Sequence, residues 1–208
     1  MQKLEFPIVI VANGAFPTHK EPINILNNSN TIIACDGAAD KLLKNNYVPN
    51  VIIGDLDSIS LNIKKIHQDK IIKVEDQSNN DLQKAIDFAI ANKVNSINII
   101  GATGLREDHQ IGNIFSILDY DDNINIKIYT DYGIFKRVFK NSKFSSYVGQ
   151  KISLFNIDNT IKINSNGLKY NINKSYISTI YSMALNESIS KTINFSLSHG
   201  KILIFQGY

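Results

Sequence analysis

Residues 49–58 read Pro-Asn-Val-Ile-Ile-Gly-Asp-Leu-Asp-Ser. The apolar run Val51–Ile53 breaks at Gly54 into two aspartates one residue apart, Asp55 and Asp57, followed by Ser58. Runs that are continuously apolar, rather than alternating, are expected where helices cover both faces of a parallel sheet. Similar short runs stand at Ile8–Ala12, Thr31–Cys35, Lys70–Val74, Ile97–Ile100 and Ile124–Tyr129. Between them, Asp81–Asn92 places Leu82, Ala85, Ile86, Ala89 and Ile90 on one helical face, and Asn80 with Gln83 offers a capping box. A second helical stretch, about Asp108–Leu118, aligns Ile111, Ile114, Phe115 and Leu118. This alternation predicts an open, mostly parallel α/β sheet with helices on both faces, of Rossmann-like kind.

After about residue 135 the pattern changes. Short β-type runs recur at Phe135–Phe139, Lys151–Ile157, Thr160–Ile163, Ile193–Leu197 and Lys201–Phe205, with Asn, Gly and Ser between them and no helical period. His199-Gly200 reads as a hairpin turn. The expectation is a smaller antiparallel β-sandwich over 136–208, following an α/β domain over 1–135. Charge divides at the same place: residues 1–135 carry 12 basic and 17 acidic side chains, a net −5, and 136–208 carry 10 and 2, a net +8.

Composition excludes several classes. Of 208 residues, 43% are hydrophobic and 20% charged, too apolar for disorder and ordinary for a folded chain. No apolar run approaches the roughly 18–20 residues that span a bilayer. The opening MQKLEFPIVIVANG lacks a small-residue cleavage site, and Cys35 is the only cysteine, so a disulfide framework or cysteine zinc site within one chain is excluded. The expectation is a soluble protein of a reducing cytoplasm, with no membrane partner. The basic C-terminal part lacks a nucleic-acid module or a basic–aromatic platform, so no nucleic acid is expected either.

Ligands of open α/β sheets bind outside the carboxyl ends of the strands. Four polar clusters follow strands here: Asn13-Gly14, Asp36-Gly37, Gly54–Ser58 and Gly101–His109. In the third, Asp55 and Asp57 can both reach one hard cation such as Mg²⁺; alternatively Asp57 or Ser58 caps the next helix and Asp55 is a turn residue. Asp36 and Asp81 stand at other strand-to-helix junctions and favour the metal reading, because several carboxylates at one edge repel without a cation. Asp81 also suits a first helical turn. The fourth cluster, Gly-Ala-Thr-Gly-Leu-Arg-Glu-Asp-His, is a glycine-bearing turn into a helix, an anion site in kind, but neither GxxxxGK[ST] nor GxGxxG. Arg106 suits a phosphate, or pairs with an aspartate to brace the loop. His109 and Asn113 share a helix face.

Taken in order, Cys35–Asp40 (CDGAAD), Pro49–Ser58 (PNVIIGDLDS), Asp76–Asp81 (DQSNND) and Gly101–Asn113 (GATGLREDHQIGN) resemble the motifs of the thiamine pyrophosphokinases, and Leu185–Glu187 (LNE) resembles that family's SNE-type motif. The resemblance covers essentially the whole chain. It implies transfer of a pyrophosphoryl group from ATP to the hydroxyethyl oxygen of thiamine, giving thiamine diphosphate and AMP, in a Mg²⁺-dependent homodimer whose thiamine site lies where the α/β domain of one subunit meets the β domain of the other. It further implies Asp36, Asp55, Asp57 and Asp81 as metal carboxylates. Arg106, Asp108 and Asn113 match the family's ATP-side motif, with Asn13, Asp36, Gly37 and His109 expected beside them, and Gln77 and Asn186 match thiamine-contacting positions, with Ser182 expected to substitute for the Ser missing at 185. Asp55, Asp57, Asp81, Arg106 and Asp108 would serve the chemistry, with Asp81 or Asp108 accepting the hydroxyl proton. The chain departs from the pattern at Leu105, where the family often has Gly, at Asn80 for Thr, and at Leu185 for Ser. Two alternatives stay open: a nucleotide- or thiamine-binding sensor without turnover, and pyrophosphoryl transfer to another small alcohol.

Overall fold

The computed structural model describes residues 4–76, 78–180 and 182–208. The chain divides into two compact units, one of Met1–Ser116 with Asn123–Asp131, the other of Ile117–Asp122 with Tyr132–Tyr208.

In the first unit, six strands β1 (Ile8–Val11), β2 (Thr31–Cys35), β3 (Val51–Gly54), β4 (Ile71–Lys73), β5 (Ser96–Ile100) and β6 (Asn125–Tyr129) lie in the order β6-β5-β1-β2-β3-β4. Every pairing among them is parallel. The helices between them are α1 (Lys20–Asn27), α2 (Ala38–Lys44), α3 (Leu61–Ile66), α4 (Asp81–Ala91) and α5 (Glu107–Ser116). Val9, Val11, Ile32, Ala34 and Ile52 pack with Leu26 of α1, Ala38, Ala39 and Leu42 of α2, and Ile63 of α3. Successive strand side chains point to opposite faces, so the equally buried Ile8, Ile10, Ile33 and Ile53 need a second cover, and α4 lies against β2 and β3. The apolar runs are explained by this double burial.

The Asn80–Gln83 capping box of α4 is present: Gln83 N–H donates to Asn80 Oδ1 at 2.9 Å and Asn80 N–H to Gln83 Oε1 at 3.3 Å. In α5, burial is confined to the C-terminal part, and Ile111, expected on the apolar face, is 59% exposed. Among the described residues no helix is long and apolar enough to cross a membrane.

The strand order reverses between β1 and β5, which are adjacent although three strands and four α-helices separate them in sequence. At such a switch point the loops leaving two neighbouring strands diverge to opposite faces and open a crevice. The Asn13-Gly14 and Gly101–His109 clusters leave these two strands.

The second unit is an antiparallel β-sandwich. Strands β7 (Gly133–Ser145) and β12 (Thr192–Gly207) pair along nearly their whole length, with an irregularity between Ser196 and Lys201. β8 (Lys151–Phe155) pairs with the second half of β12 and β9 (Lys162–Asn166) with the first; β10 (Ser175–Tyr176) and β11 (Asn186–Glu187) pair with β9 and β8. Val138, Ile152, Leu154, Ile163, Ile193, Phe195 and Ile204 share one core. His199-Gly200 is therefore not a hairpin turn: it is the irregular bend inside β12, and Gly200, at φ 66°, takes a backbone that side chains disfavour. Arg137, the second arginine of the chain, is buried and donates to the backbone oxygens of Tyr120 and Asp121, so its role is structural.

Candidate functional site

Backbone packing builds the crevice. Gly14 N–H donates to Gly101 O at 2.7 Å and Ala15 N–H to Thr103 O at 2.8 Å. A Cβ on Gly14 would lie 2.3 Å from Gly101 O, so only glycine lets the two loops meet. Lys41 Nζ, from α2, donates to the carbonyls of Asn13 at 2.7 Å and Gly14 at 2.6 Å and pins this turn. Around it opens a cavity of about 360 Å³, lined among others by Asn13, Asp55, Asp81, Arg106, His109 and Asn113.

Three carboxylates converge there. Asp36, Asp55 and Asp81 each offer one oxygen, and the three atoms lie within 4.8 Å of one another. Asp36 is buried, at φ 41°. Its Oδ2 accepts the Ser58 N–H at 2.9 Å, while its Oδ1 is buried with no hydrogen-bond partner. Burial, together with the charges of Asp81 and Asp55, pushes the Asp36 carboxyl above the usual carboxylate range despite the Ser58 N–H. At this separation two ionised carboxylates repel by roughly 3 kcal/mol in an effective dielectric of about 20. An orphaned buried oxygen in a ring of oxygen donors suits a hard divalent cation such as Mg²⁺, which takes carboxylates together with water and phosphate oxygens. The adjoining Cys35 thiol is pushed up by burial and by Asp81 and Asp36, which keeps it neutral and unreactive.

Asp57 stands outside this group. It is exposed, and its backbone N–H donates to Asp55 Oδ1 at 3.2 Å. Gly37 N-caps α2 and leaves room for Asn13, whose Nδ2 a Cβ there would approach to 2.7 Å.

On the other wall, Arg106 and Asp108 form a two-pronged pair, Nη2 to Oδ2 at 2.6 Å and Nε to Oδ1 at 3.2 Å, with both side chains exposed. The arginine and the His109 N–H hold the Asp108 carboxyl down to about 2. His109 is exposed and faces the cavity. Asn113 donates to Ala102 O at 3.1 Å and accepts from Asn80 Nδ2 at 3.3 Å, tying α5 to the loop before α4.

The residues expected on the thiamine side fare differently. Gln77 lies outside the described residues. Ser182 is exposed in a turn, its hydroxyl donating to Thr179 O at 2.9 Å. Asn186 is buried and fully engaged: it donates to Tyr170 O and accepts from the N–H groups of Tyr170 and Glu187.

Sequence reasoning overlooked two lysines. Lys84 has a side chain 4% exposed, lines the cavity and donates to Asp81 Oδ1 at 3.1 Å. Its i, i+3 spacing from Asp81 was the available signal. Lys41 left no signal, because its partners are backbone oxygens distant in sequence.

Fold and site together define a class: a parallel α/β domain with an acidic, cation-type crevice at its switch point, followed by an antiparallel β domain. The description "Thiamin pyrophosphokinase, catalytic domain" matches residues 23–130, and "Thiamin pyrophosphokinase, substrate-binding domain" matches residues 133–205. The chain belongs to the thiamine pyrophosphokinase family. It is 35% identical over 95 residues to thiamine pyrophosphokinase 1 of Oryza sativa subsp. japonica, an alignment covering 41% of this chain and 36% of that protein. The chain thus spans just over a third of the length of that curated relative. With thiamine pyrophosphokinase of Bacillus subtilis (strain 168) the identity is 25% over 191 residues, 84% of this chain and 86% of the relative. The crystal structure of Bacillus subtilis thiamine pyrophosphokinase superposes with a TM-score of 0.78 at 21% identity, covering 96% of this chain and 98% of that one, which shows the fold.

Proposed function

We propose that this chain is an ATP-dependent thiamine diphosphokinase, transferring the pyrophosphoryl group of ATP to the hydroxyethyl oxygen of thiamine and releasing AMP. The observation that carries the reading is the convergence of Asp36, Asp55 and Asp81, with one buried oxygen unpartnered, at the switch point of a chain of this family. On this reading residues 1–135 bind ATP and Mg²⁺, and residues 136–208 contribute to thiamine binding and dimerisation. The enzyme works as a cytoplasmic homodimer, with thiamine held between the α/β domain of one subunit and the β domain of the other.

Asp36, Asp55 and Asp81 would hold Mg²⁺, with Asp57 of the same motif assigned to the same ion. When bound, the ion supplies positive charge against the phosphate oxygens, where negative charge builds up during transfer. The remaining work is positioning. Asn13, Gly37, His109 and Asn113 line the nucleotide side. Arg106 and Asp108 stand as one exposed unit there, the guanidinium able to turn from Asp108 to a phosphate. Asp81 or Asp108 would accept the hydroxyl proton: Asp81 lines the cavity but is shared with the ion and Lys84, and Asp108 is paired with Arg106. Gln77, Ser182 and Asn186 are assigned to thiamine, Asn186 by shaping the Tyr170 loop through its buried hydrogen bonds.

The test is incubation of the purified protein with ATP, Mg²⁺ and either thiamine or other small primary alcohols. Thiamine diphosphate with AMP supports the reading. Thiamine binding in the calorimeter without AMP would make the chain a sensor, and AMP formed only with another alcohol would reassign the acceptor.

A further inference from the structure

Among the described residues, Lys84 is the buried cation at the acidic cluster. Its side chain is 4% exposed, its Nζ donates to Asp81 Oδ1 at 3.1 Å, and it sits three residues along α4 from that aspartate. Burying an ammonium is costly unless it is paired, so its place beside three converging carboxylates calls for a reason. Helix packing does not supply one, since the same position filled by an apolar residue would extend the buried face formed by Leu82, Ala85, Ile86 and Ala89.

We infer that Lys84 is an internal counter-ion of the cation site: it holds the Asp81 carboxylate in register while no divalent ion is bound, and its charge weakens the binding of that ion so that the ion remains exchangeable. Lys84 is thus a positioning residue acting through Asp81. The inference rests on the metal reading proposed above. Two consequences follow from electrostatics alone. Without the lysine charge, the mutual repulsion of Asp36, Asp55 and Asp81 is less offset, and the metal-free protein loses stability. A divalent ion then relieves more repulsion than before and binds more tightly, and by linkage it stabilises the variant more than the native protein.

The experiment is thermal unfolding of the native protein, Lys84→Met and Lys84→Arg across a Mn²⁺ titration without nucleotide, with Mn²⁺ affinity measured by calorimetry. The expected result is a lower Tm for metal-free Lys84→Met, a larger upward shift with Mn²⁺, and an affinity about fivefold tighter, the size of one moderately screened charge pair. Lys84→Arg, which keeps the charge, should stay near the native protein. If Lys84→Met does not fold without metal, Mn²⁺ should restore its circular dichroism; failure to restore it overturns the inference. Equal Mn²⁺ shifts in Lys84→Met and the native protein would also overturn it, leaving Lys84 as a packing residue. A native protein that binds no Mn²⁺ would instead overturn the metal reading itself, and the inference with it.

Discussion

Gly54 and Asp36 stand so close that a methyl group on the glycine would lie 2.9 Å from the Asp36 Cβ. The same methyl would meet the carboxyl carbon of Asp81 at 3.2 Å. The absent side chain at the end of β3 is what allows carboxylates from two other elements to close over it. Gly54→Ala should therefore destabilise the protein by about 1–3 kcal/mol, as overpacking does in a tight interior, and spread the acidic cluster. Chemical denaturation reads the first effect, and a weakened Mn²⁺ affinity reads the second.

Asp36 carries the orphaned Oδ1, so Asp36→Asn separates stability from function. Removing a buried charge that faces Asp55 and Asp81 should raise the Tm of the metal-free protein, while thiamine diphosphate formation falls by about a hundredfold or more. A variant both less stable and fully active would show that the carboxylate is structural.

Lys41 is half-buried and donates to two backbone carbonyls of the first loop. Lys41→Met leaves those oxygens without their charged donor, at a cost of about 1–3 kcal/mol. Because the Asn13-Gly14 turn forms one wall of the crevice, KM for ATP should rise more than kcat falls. Steady-state kinetics at varied ATP checks this.

The Arg106–Asp108 pair gives a pH signature. The folded Asp108 carboxyl lies at about 2, below its ordinary 3.8, with the Arg106 hydrogen bonds as the main cause. A depressed carboxylate contributes stability that is fully present above the unfolded value and is lost as the pH falls through the folded one. The contribution of this pair is therefore intact above about pH 4 and disappears toward about pH 2. Carboxyl NMR should show Asp108 still ionised near pH 3 in the native protein, and Arg106→Gln should return it toward its ordinary range.

The α/β-then-β order was legible because double burial writes itself as continuous apolar runs, as in Ile8–Val11 and Thr31–Cys35, and α4 announced itself through an apolar face and a capping box. The helices α1, α2 and α3 were not read: they have eight, seven and six residues and bury only two, three and one of them, too few to establish a period. The bend in β12 was misread because histidine followed by glycine has the composition of a turn, and only the partner strand β7, remote in sequence, shows that the chain runs on. Sequence order also brought Asp36, Asp55 and Asp81 to one edge, since each follows a strand or opens a helix at the same end of the sheet. What it could not supply was the third dimension: that exposed Asp57 is not among the three carboxylates that converge, that Asp108 is occupied by Arg106, and that Lys84 lies buried beside Asp81.

On the proposed reading, one turnover moves two phosphates together. The most direct measurement is the product ratio when purified protein, thiamine, ATP and Mg²⁺ are incubated and every nucleotide and thiamine ester is quantified. The expected result is AMP and thiamine diphosphate in equal amounts, with no thiamine monophosphate intermediate, and loss of both in Asp55→Asn. Formation of ADP with thiamine monophosphate, or undiminished product from Asp55→Asn, would contradict it.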